Sequence, residues 1–226
     1  MIISIINGSP RKNGSTAQIL LSIKKNLEEH DTVSVNYYNL IDMEIKPCTG
    51  CRVCYKTGTC AIKNDGIENF AQTIKQSDGI IIGSPTFGSG ITGYLKSFLD
   101  RGHFIVEQSL QNKKCMAIAT YEIAEGKSAY NQLKKFFVVS GGKNIPGIIL
   151  KMDYAGKPVL NDSLLGKIEK KAKEFHQAIL ENKGKTVFEY VFDDIIIRNV
   201  IWKPIFYGRR DDFSGILKSW EDKRLI

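Results

Sequence analysis

No run of apolar residues in this chain of 226 approaches the roughly 20 that cross a bilayer as a helix, which excludes a membrane-spanning helix. The opening run MIISII is too short for a secretory signal and leads directly into Gly-Ser-Pro, so a reducing, cytoplasmic setting is expected. Five cysteines, an odd number, do not make a disulfide framework. A chain of this length buries roughly 70% of its unfolded surface, so it needs neither disulfides nor a metal to hold its fold, and any clustering of thiols requires a chemical reason. Histidine is scarce. His30, His103 and His176 form no Ser/His/Asp arrangement, and His30 and His176 fall on predicted amphipathic helices, where a structural role is expected. No catalytic acid or base is assigned. Acidic residues are outnumbered, 24 against 32 basic, for a formal charge of +8, which favours anionic partners such as phosphates or an acidic protein. No nucleic-acid motif, repeat or low-complexity segment accompanies that charge, so neither nucleic acid nor membrane is expected as a partner.

What is present is an alternation of strands and helices. Ile2 to Ile6 reads as a buried strand, Asn7 to Asn13 as a polar turn, and Ile19, Leu20, Ile23 and Leu27 as the apolar stripe of a helix that Ser15 or Thr16 would cap. Strands are expected over 32–40, 79–83, 115–120 and 145–152, with helices near 66–76, 94–101, 127–139 and 163–181. Strands apolar throughout point to a parallel sheet covered on both faces. The expected architecture is α/β, a five-stranded doubly wound sheet over residues 1–182, with a cysteine loop at 47–60. Residues 183–226 have another character, with Phe188, Tyr190, Phe192, Trp202, Phe206, Tyr207, Phe213 and Trp220 among mixed charges. They read as an extension that covers its own domain, clasps a second subunit or lies on a membrane surface; Arg198, Lys203 and Pro204 weaken the last reading.

Doubly wound sheets bind ligands at the carboxyl ends of their strands, next to the point where strand order reverses, so the loops after Ile6, Gly83 and Thr120 carry the functional expectation. The first, GSPRKNGST (residues 8–16), offers hydroxyls on Ser9, Ser15 and Thr16, the cation of Arg11 and backbone N–H groups at a helix start, an anion site. Its spacing matches neither the dinucleotide nor the nucleoside-triphosphate glycine pattern, and it suits a monophosphate. The second, SPTFGSGITGYLKSFLDR (Ser84–Arg101), puts Pro85, Phe87, Gly88 and Gly90 in a rigid turn beside an aromatic face, suited to a flat heteroaromatic ring.

Together these two motifs resemble the NADPH-dependent FMN reductase and flavodoxin-like flavoprotein superfamily, over about residues 1–180. The resemblance implies a flavodoxin-like fold, with Ser9, Arg11, Asn13, Ser15 and Thr16 around the FMN phosphate, Pro85, Thr86, Phe87 and Gly88 along the isoalloxazine, and Thr120 and Tyr121 as further flavin contacts. The third loop, TYEIAEGKSA, departs from the glycine-rich form of many relatives.

Cys48, Cys51, Cys54 and Cys60 read C-x2-C-x2-C-x5-C within thirteen positions, and Cys115 stands apart on a predicted strand as a small buried hydrophobe. Two x2 gaps can wrap thiolates around one cubane cluster, although the last gap is longer than in ferredoxin runs and no proline follows. A zinc site and four reduced, metal-free thiols are the alternatives. The pattern is similar to that of the iron-sulfur flavoproteins, a branch of the same superfamily, and this implies a four-iron four-sulfur cluster on those four cysteines. Lys46, Arg52, Lys56 and Lys63 would offset the cluster's negative charge or lower the thiol pKa values.

The expectation is an FMN-dependent oxidoreductase of the iron-sulfur flavoprotein type, passing electrons between ferredoxin or NAD(P)H and an acceptor. A cluster-free NAD(P)H-dependent FMN or quinone reductase is the second reading, and a non-catalytic flavin-binding protein the third. The aromatic extension and the resemblance favour a homodimer or homotetramer.

Overall fold

A computed structural model describes residues 1–63, 65–153, 160–181 and 190–226. The five strands are β1 (Ile2–Asn7), β2 (Ser34–Asn39), β3 (Gly79–Pro85), β4 (Lys114–Tyr121) and β5 (Lys143–Lys151). They form one parallel sheet in the order β2-β1-β3-β4-β5. The strand order reverses between β1 and β3, which is the flavodoxin-like arrangement.

Each face of the sheet buries its own core. Ile3, Ile5, Ile81, Met116 and Ile118 point to one side, against α1 (Ser15–Glu28) and α6 (Asp162–Leu180). Ile6, Ile80, Ile82, Cys115 and Ala117 point to the other, against α3 (Ile67–Gln76), α4 (Gly93–Arg101) and α5 (Gly126–Val139). This alternation follows from the period of two along a strand, and strands buried on both faces need apolar residues at every position. On the second side an aromatic ladder runs Tyr38, Phe70, Phe98, Phe104, Phe136, Phe137, with neighbouring centroids 4.6 to 5.9 Å apart.

The helices press tightly on the sheet. A Cβ on Gly83 would meet Leu20 Cδ1 at 2.7 Å, so α1 approaches β3 only because that residue is glycine. Pro146 lies in β5, where a central strand would reject it, because β5 is an edge strand and the register slips between Met116 and Ile118.

The expected strands and helices all form, with ends displaced by one or two residues. One local expectation is corrected: neither Ser15 nor Thr16 caps α1. Gly14 occupies that position and supplies no side chain, and the Thr16 hydroxyl instead pairs with that of Thr120 at 2.8 Å. Two regions hold helices that sequence periodicity did not resolve. A five-residue α2 (Val53–Thr57) lies within the cysteine loop. At the other end, a π-helical stretch (Tyr190–Trp202) runs into α7 (Lys203–Gly208) and then α8 (Ser214–Asp222). Pro204 opens α7, in the first turn where its missing N–H costs nothing. Phe206, Ile216, Leu217 and Trp220 form a third small core with Tyr55 and Val106, so this part of the extension packs on its own chain. The expected boundary at 182/183, Phe188, and the side chains of Tyr190 and Phe192 lie outside the described residues.

Candidate functional site

A cavity of about 460 Å³ opens at the carboxyl ends of β1, β3 and β4. The first loop enters it in a hydrogen-bonded turn. Ser9 N–H donates to Asn7 Oδ1 at 3.1 Å, Arg11 N–H donates to Ser9 Oγ at 3.1 Å, and Gly14 N–H donates to the Arg11 carbonyl at 3.1 Å. Ser9, Arg11 and Ser15 line the cavity. The Arg11 side chain is 68% exposed, with Nη1 3.9 Å from Glu122 Oε1, so its cation is held across the mouth by only a loose pair. Thr16 is buried beneath the cavity wall, and Asn13 stands on the outside, its carbonyl accepting from Gln18 Nε2.

The second loop forms the opposite wall. Phe87 and Gly90 exchange both backbone hydrogen bonds, at 2.9 and 3.0 Å, and Gly88 (φ 52°) and Ser89 (φ 64°) between them are both left-handed. This is the pattern of a type I′ turn, which requires positive φ at both central residues; Gly88 meets that without steric cost and Ser89 adopts it as a non-glycine residue. It presents Phe87, 49% exposed, at the cavity rim. Thr86 N–H donates to the Thr120 carbonyl at 2.8 Å, tying this wall to the third loop. Among the described residues the buried Thr86 hydroxyl oxygen, beside the cavity, has no hydrogen-bond partner, an arrangement suited to a bound polar molecule.

Glu122, which the sequence offered beside Tyr121 as a candidate substrate contact, lines the cavity, and so do Ser89, Ile123, Ala124, Glu125 and Met152, which were not singled out from the sequence. Most lie on the loop after β4, which strand topology did indicate. Met152 joins them because its N–H donates to the Tyr121 carbonyl at 2.7 Å, a contact that sequence patterning does not show. Gly126 is required here: a Cβ would meet the Tyr121 ring at 2.1 Å.

The four clustered cysteines occupy a second region. Cys48 and Cys51 are exposed, Cys54 is half-buried and Cys60 is buried. Gly50 N–H donates to Cys48 Sγ at 3.4 Å. Hydrogen bonds from the Val53 backbone and the Thr49 side chain hold the Cys51 thiol below its ordinary pKa. Burial, reinforced by Cys60, Cys51 and Cys48, pushes the Cys54 thiol up to about 11. Arg52, between Cys51 and Cys54, sits at φ 62°. Among the described residues, no three His, Cys, Asp or Glu side chains stand close enough together to hold a metal ion. Cavities of about 510 Å³, reached by Cys48 and Cys54, and about 560 Å³, reached by Cys51, flank the loop.

Arg101, at the end of α4, fastens this loop at both ends. Its guanidinium donates to the carbonyls of Lys46 and Ile62, each at 3.0 Å, pairs with Asp65, and reaches Cys60 Sγ at 3.4 Å. Both charged partners are almost fully enclosed. Burial would raise the Asp65 pKa, but Arg101 and the Lys46 N–H outweigh it and keep the carboxylate ionised. Nothing local in the sequence marks Arg101, because its partners lie 36 to 55 residues away. The other end of α4 touches the first cavity's loop: its cap Thr92 donates to the Gly8 carbonyl at 2.6 Å. One nine-residue helix, about 13 Å long at 1.5 Å per residue, therefore links the two regions.

Beyond the loop, the Glu107 carboxylate lies 2.7 Å from Lys75 Nζ, 3.4 Å from His103 Nδ1 and 3.8 Å from Lys223 Nζ. Burial would raise its pKa, but the His103 hydrogen bond and the charges of Lys75 and Lys223 bring it down to about 2. His30 and His176, the other two histidines, stack on each other at 4.1 Å away from both cavities.

The family model described as NADPH-dependent FMN reductase matches residues 1–157. An iron-sulfur flavoprotein of Clostridioides difficile (strain 630) is 37% identical over the full length of both chains. Among solved structures, an NADH:FMN oxidoreductase in its apo form superposes with a TM-score of 0.58 at 18% identity, covering 78% of this chain and 89% of that one. A flavodoxin from the domain Archaea does so with 0.54 at 15%, covering 80% and 99%. At these identities the two structures speak for the fold alone.

Proposed function

The chain belongs to the NADPH-dependent FMN reductase family and is an FMN-dependent oxidoreductase, and on that premise we propose that it works as an iron-sulfur flavoprotein, moving electrons between NAD(P)H or ferredoxin and an acceptor. The observation that carries this reading is the pairing of a flavin-sized cleft with a four-thiol loop in one domain, the two joined by α4. The full-length likeness to a relative named iron-sulfur flavoprotein supports it.

The cleft's chemistry fits FMN. Ser9, Arg11 and Ser15, with the N–H groups at the start of α1, suit a phosphate. Thr16 and Asn13 support that loop from beneath and outside. Pro85, Thr86, Phe87, Gly88, Thr120 and Tyr121 suit the flat ring, and the orphaned Thr86 hydroxyl suits one of its polar edges. Bound FMN supplies hydride acceptance and single-electron release; the protein sets position and potential. The chain's own part is to fix the ring against the Phe87 turn, to neutralise the phosphate with Arg11, and to exclude water along the Tyr121 wall.

The cysteine loop fits a four-iron four-sulfur cluster in its donor chemistry. It has four thiols, three of which act electrostatically on Cys54, and donors to sulfur at Gly50 and Arg101. Holding it would draw Cys48, Cys51, Cys54 and Cys60 closer together. The second reading, a cluster-free NAD(P)H-dependent FMN or quinone reductase, is less favoured; it rests on the spacing of those thiols among the described residues.

We also propose a reducing cytoplasm, the setting that keeps a four-thiol loop available as metal ligands. No described helix is long and apolar enough to cross a membrane. The exposed Ile195, Ile196, Val200, Ile201 and Ile205 support a homodimer or homotetramer; a monomeric solution mass would remove that reading. Residues 1–182 are taken as the flavin domain and 183–226 as its extension. The deciding experiment for the cluster is anaerobic purification with iron, sulfide and FMN analysis. About four irons per chain are expected beside the flavin, and flavin without iron or sulfide would leave the second reading.

A further inference from the structure

The helix that carries Cys54 has little hold of its own. α2 is five residues long, and none of them is fully buried; only Cys54 and Tyr55 are half-buried. A helix this short is not stable by itself in water, so its position must come from its neighbours. The neighbour is the far end of the chain. Gly215, in the first turn of α8, lies so close that a Cβ there would meet Gly58 N at 2.4 Å and the Lys56 carbonyl carbon and oxygen at 3.0 Å, all backbone atoms that cannot rotate away. Ser214 Oγ donates to the Lys56 carbonyl at 3.1 Å, one of the acceptors that the end of a helix leaves over. The Tyr55 ring, next to Cys54, stacks on Phe213 at 5.4 Å.

These contacts are anchored to the main domain. Phe213 stacks on Phe206 at 4.6 Å, and Phe206 meets the fully buried Trp220 edge-on at 5.2 Å. Trp220 Nε1 donates to the Val106 carbonyl at 2.8 Å, and Lys223 Nζ donates to the Glu107 carbonyl at 2.7 Å. A continuous path of packed rings and hydrogen bonds thus runs from the segment between α4 and β4, through the extension, to the residue beside Cys54.

We propose that residues 202–226 are a clamp that fixes α2 and with it the Cys54 thiol, with Phe213 and Gly215 as the positioning residues. Arg101 holds the ends of the cysteine loop, and the clamp holds its middle. The purpose assigned to the clamp rests on the iron-sulfur reading, but its mechanical claim does not, and the two can be tested apart.

The test uses the full-length, reduced, flavin-loaded and iron-free protein, alkylated with iodoacetamide and followed by mass spectrometry at each cysteine, with flavin content and melting temperature measured in parallel. In Gly215→Ala and Phe213→Ala, Cys54 is expected to react about tenfold faster than in the parent. Buried Cys115 should stay protected as the internal reference, and flavin content should hold. Phe213→Tyr, which keeps the ring stack, should restore the slow rate. In reconstituted protein the same two variants should lose iron sooner. An unchanged Cys54 rate in both alanine variants would overturn the clamp. So would flavin loss with Cys115 exposed, since the extension would then be a general prop of the fold. Parent protein that takes up no iron would sink the cluster reading and leave the alkylation contrast as the measure of the clamp.

Discussion

The cleft and the cysteine loop lie at opposite ends of α4 and are built by different means. The cleft is made where three parallel strands end, and its walls are tied together over a few bonds: Thr16 to Thr120, Thr86 to Thr120, Met152 to Tyr121. Its shape follows from the sheet. Residues 47–60 of the cysteine loop, all of them described, contain no strand. Apart from α2 the loop is an irregular segment with left-handed residues at Gly50, Arg52 and Gly58, and it is held by Arg101, by Glu68, which accepts from the Cys60 N–H, and by the end of the chain. A site on the sheet is preorganised by the core, whereas a site on a long loop depends on a few remote contacts and is correspondingly easy to disable alone.

Arg101→Ala separates the two regions most strongly. It strands the Asp65 carboxylate in a buried position, and removing one partner of such a pair costs about 3 to 5 kcal/mol. A lowered melting temperature with the cysteine loop accessible to alkylation, but with FMN still bound, is the expected result. Arg101→Lys should rescue little, because one ammonium cannot replace a fork that reaches two carbonyls, a carboxylate and a thiol.

The Glu107 cluster tests the outer support of the loop by pH. Its folded pKa, about 2 against an ordinary 4.5, is depressed, so its contribution is fully present above pH 4.5 and is lost as pH falls towards 2. At about 1.4 kcal/mol per pH unit the contribution is about 3 kcal/mol. The gap in unfolding free energy between the parent and Glu107→Gln should therefore be widest near neutrality and narrow steadily below about pH 4.5. A gap independent of pH would show that the carboxylate's charge contributes nothing.

On the cleft side, Arg11→Ala should weaken FMN binding about tenfold to a hundredfold, the worth of a charge-assisted contact, with no change in melting temperature of the apoprotein. Equilibrium titration of apoprotein with FMN measures it, and unchanged affinity would remove Arg11 from the phosphate site. The smallest effect belongs to Thr120→Val, which breaks the hydroxyl pair with Thr16 beneath the cleft. It should cost about 1 kcal/mol of stability and shift FMN affinity less than Arg11→Ala does.

The same contrast explains what could be read in advance. The sheet, the helices covering it and the three loops at its carboxyl edge follow from apolar periodicity and from the rule that places ligands at the strand ends, and Ser9, Arg11, Ser15 and Phe87 do come together at one cavity. The C-x2-C-x2-C-x5-C run was visible as a pattern of thiols. Its supports were not. Arg101 reads as the last residue of an amphipathic helix, and only the folded chain shows it enclosed among four partners. Trp220 and Phe213 read as unplaced aromatics, since their partners Val106 and Tyr55 lie more than a hundred residues away. Gly126 carried no signal beyond its place at a helix start, because the Tyr121 ring that requires it is packed against it only in three dimensions.

On the proposed function, one chain holds two separately supported redox sites, a flavin cleft on the sheet and a cluster on the cysteine loop. The most direct test is the ratio of iron to FMN in anaerobically purified parent and Arg101→Ala proteins. About four irons and one flavin per chain are expected in the parent, and flavin with little or no iron in the variant. Flavin without iron in the parent, or iron and flavin lost together in the variant, would contradict the account.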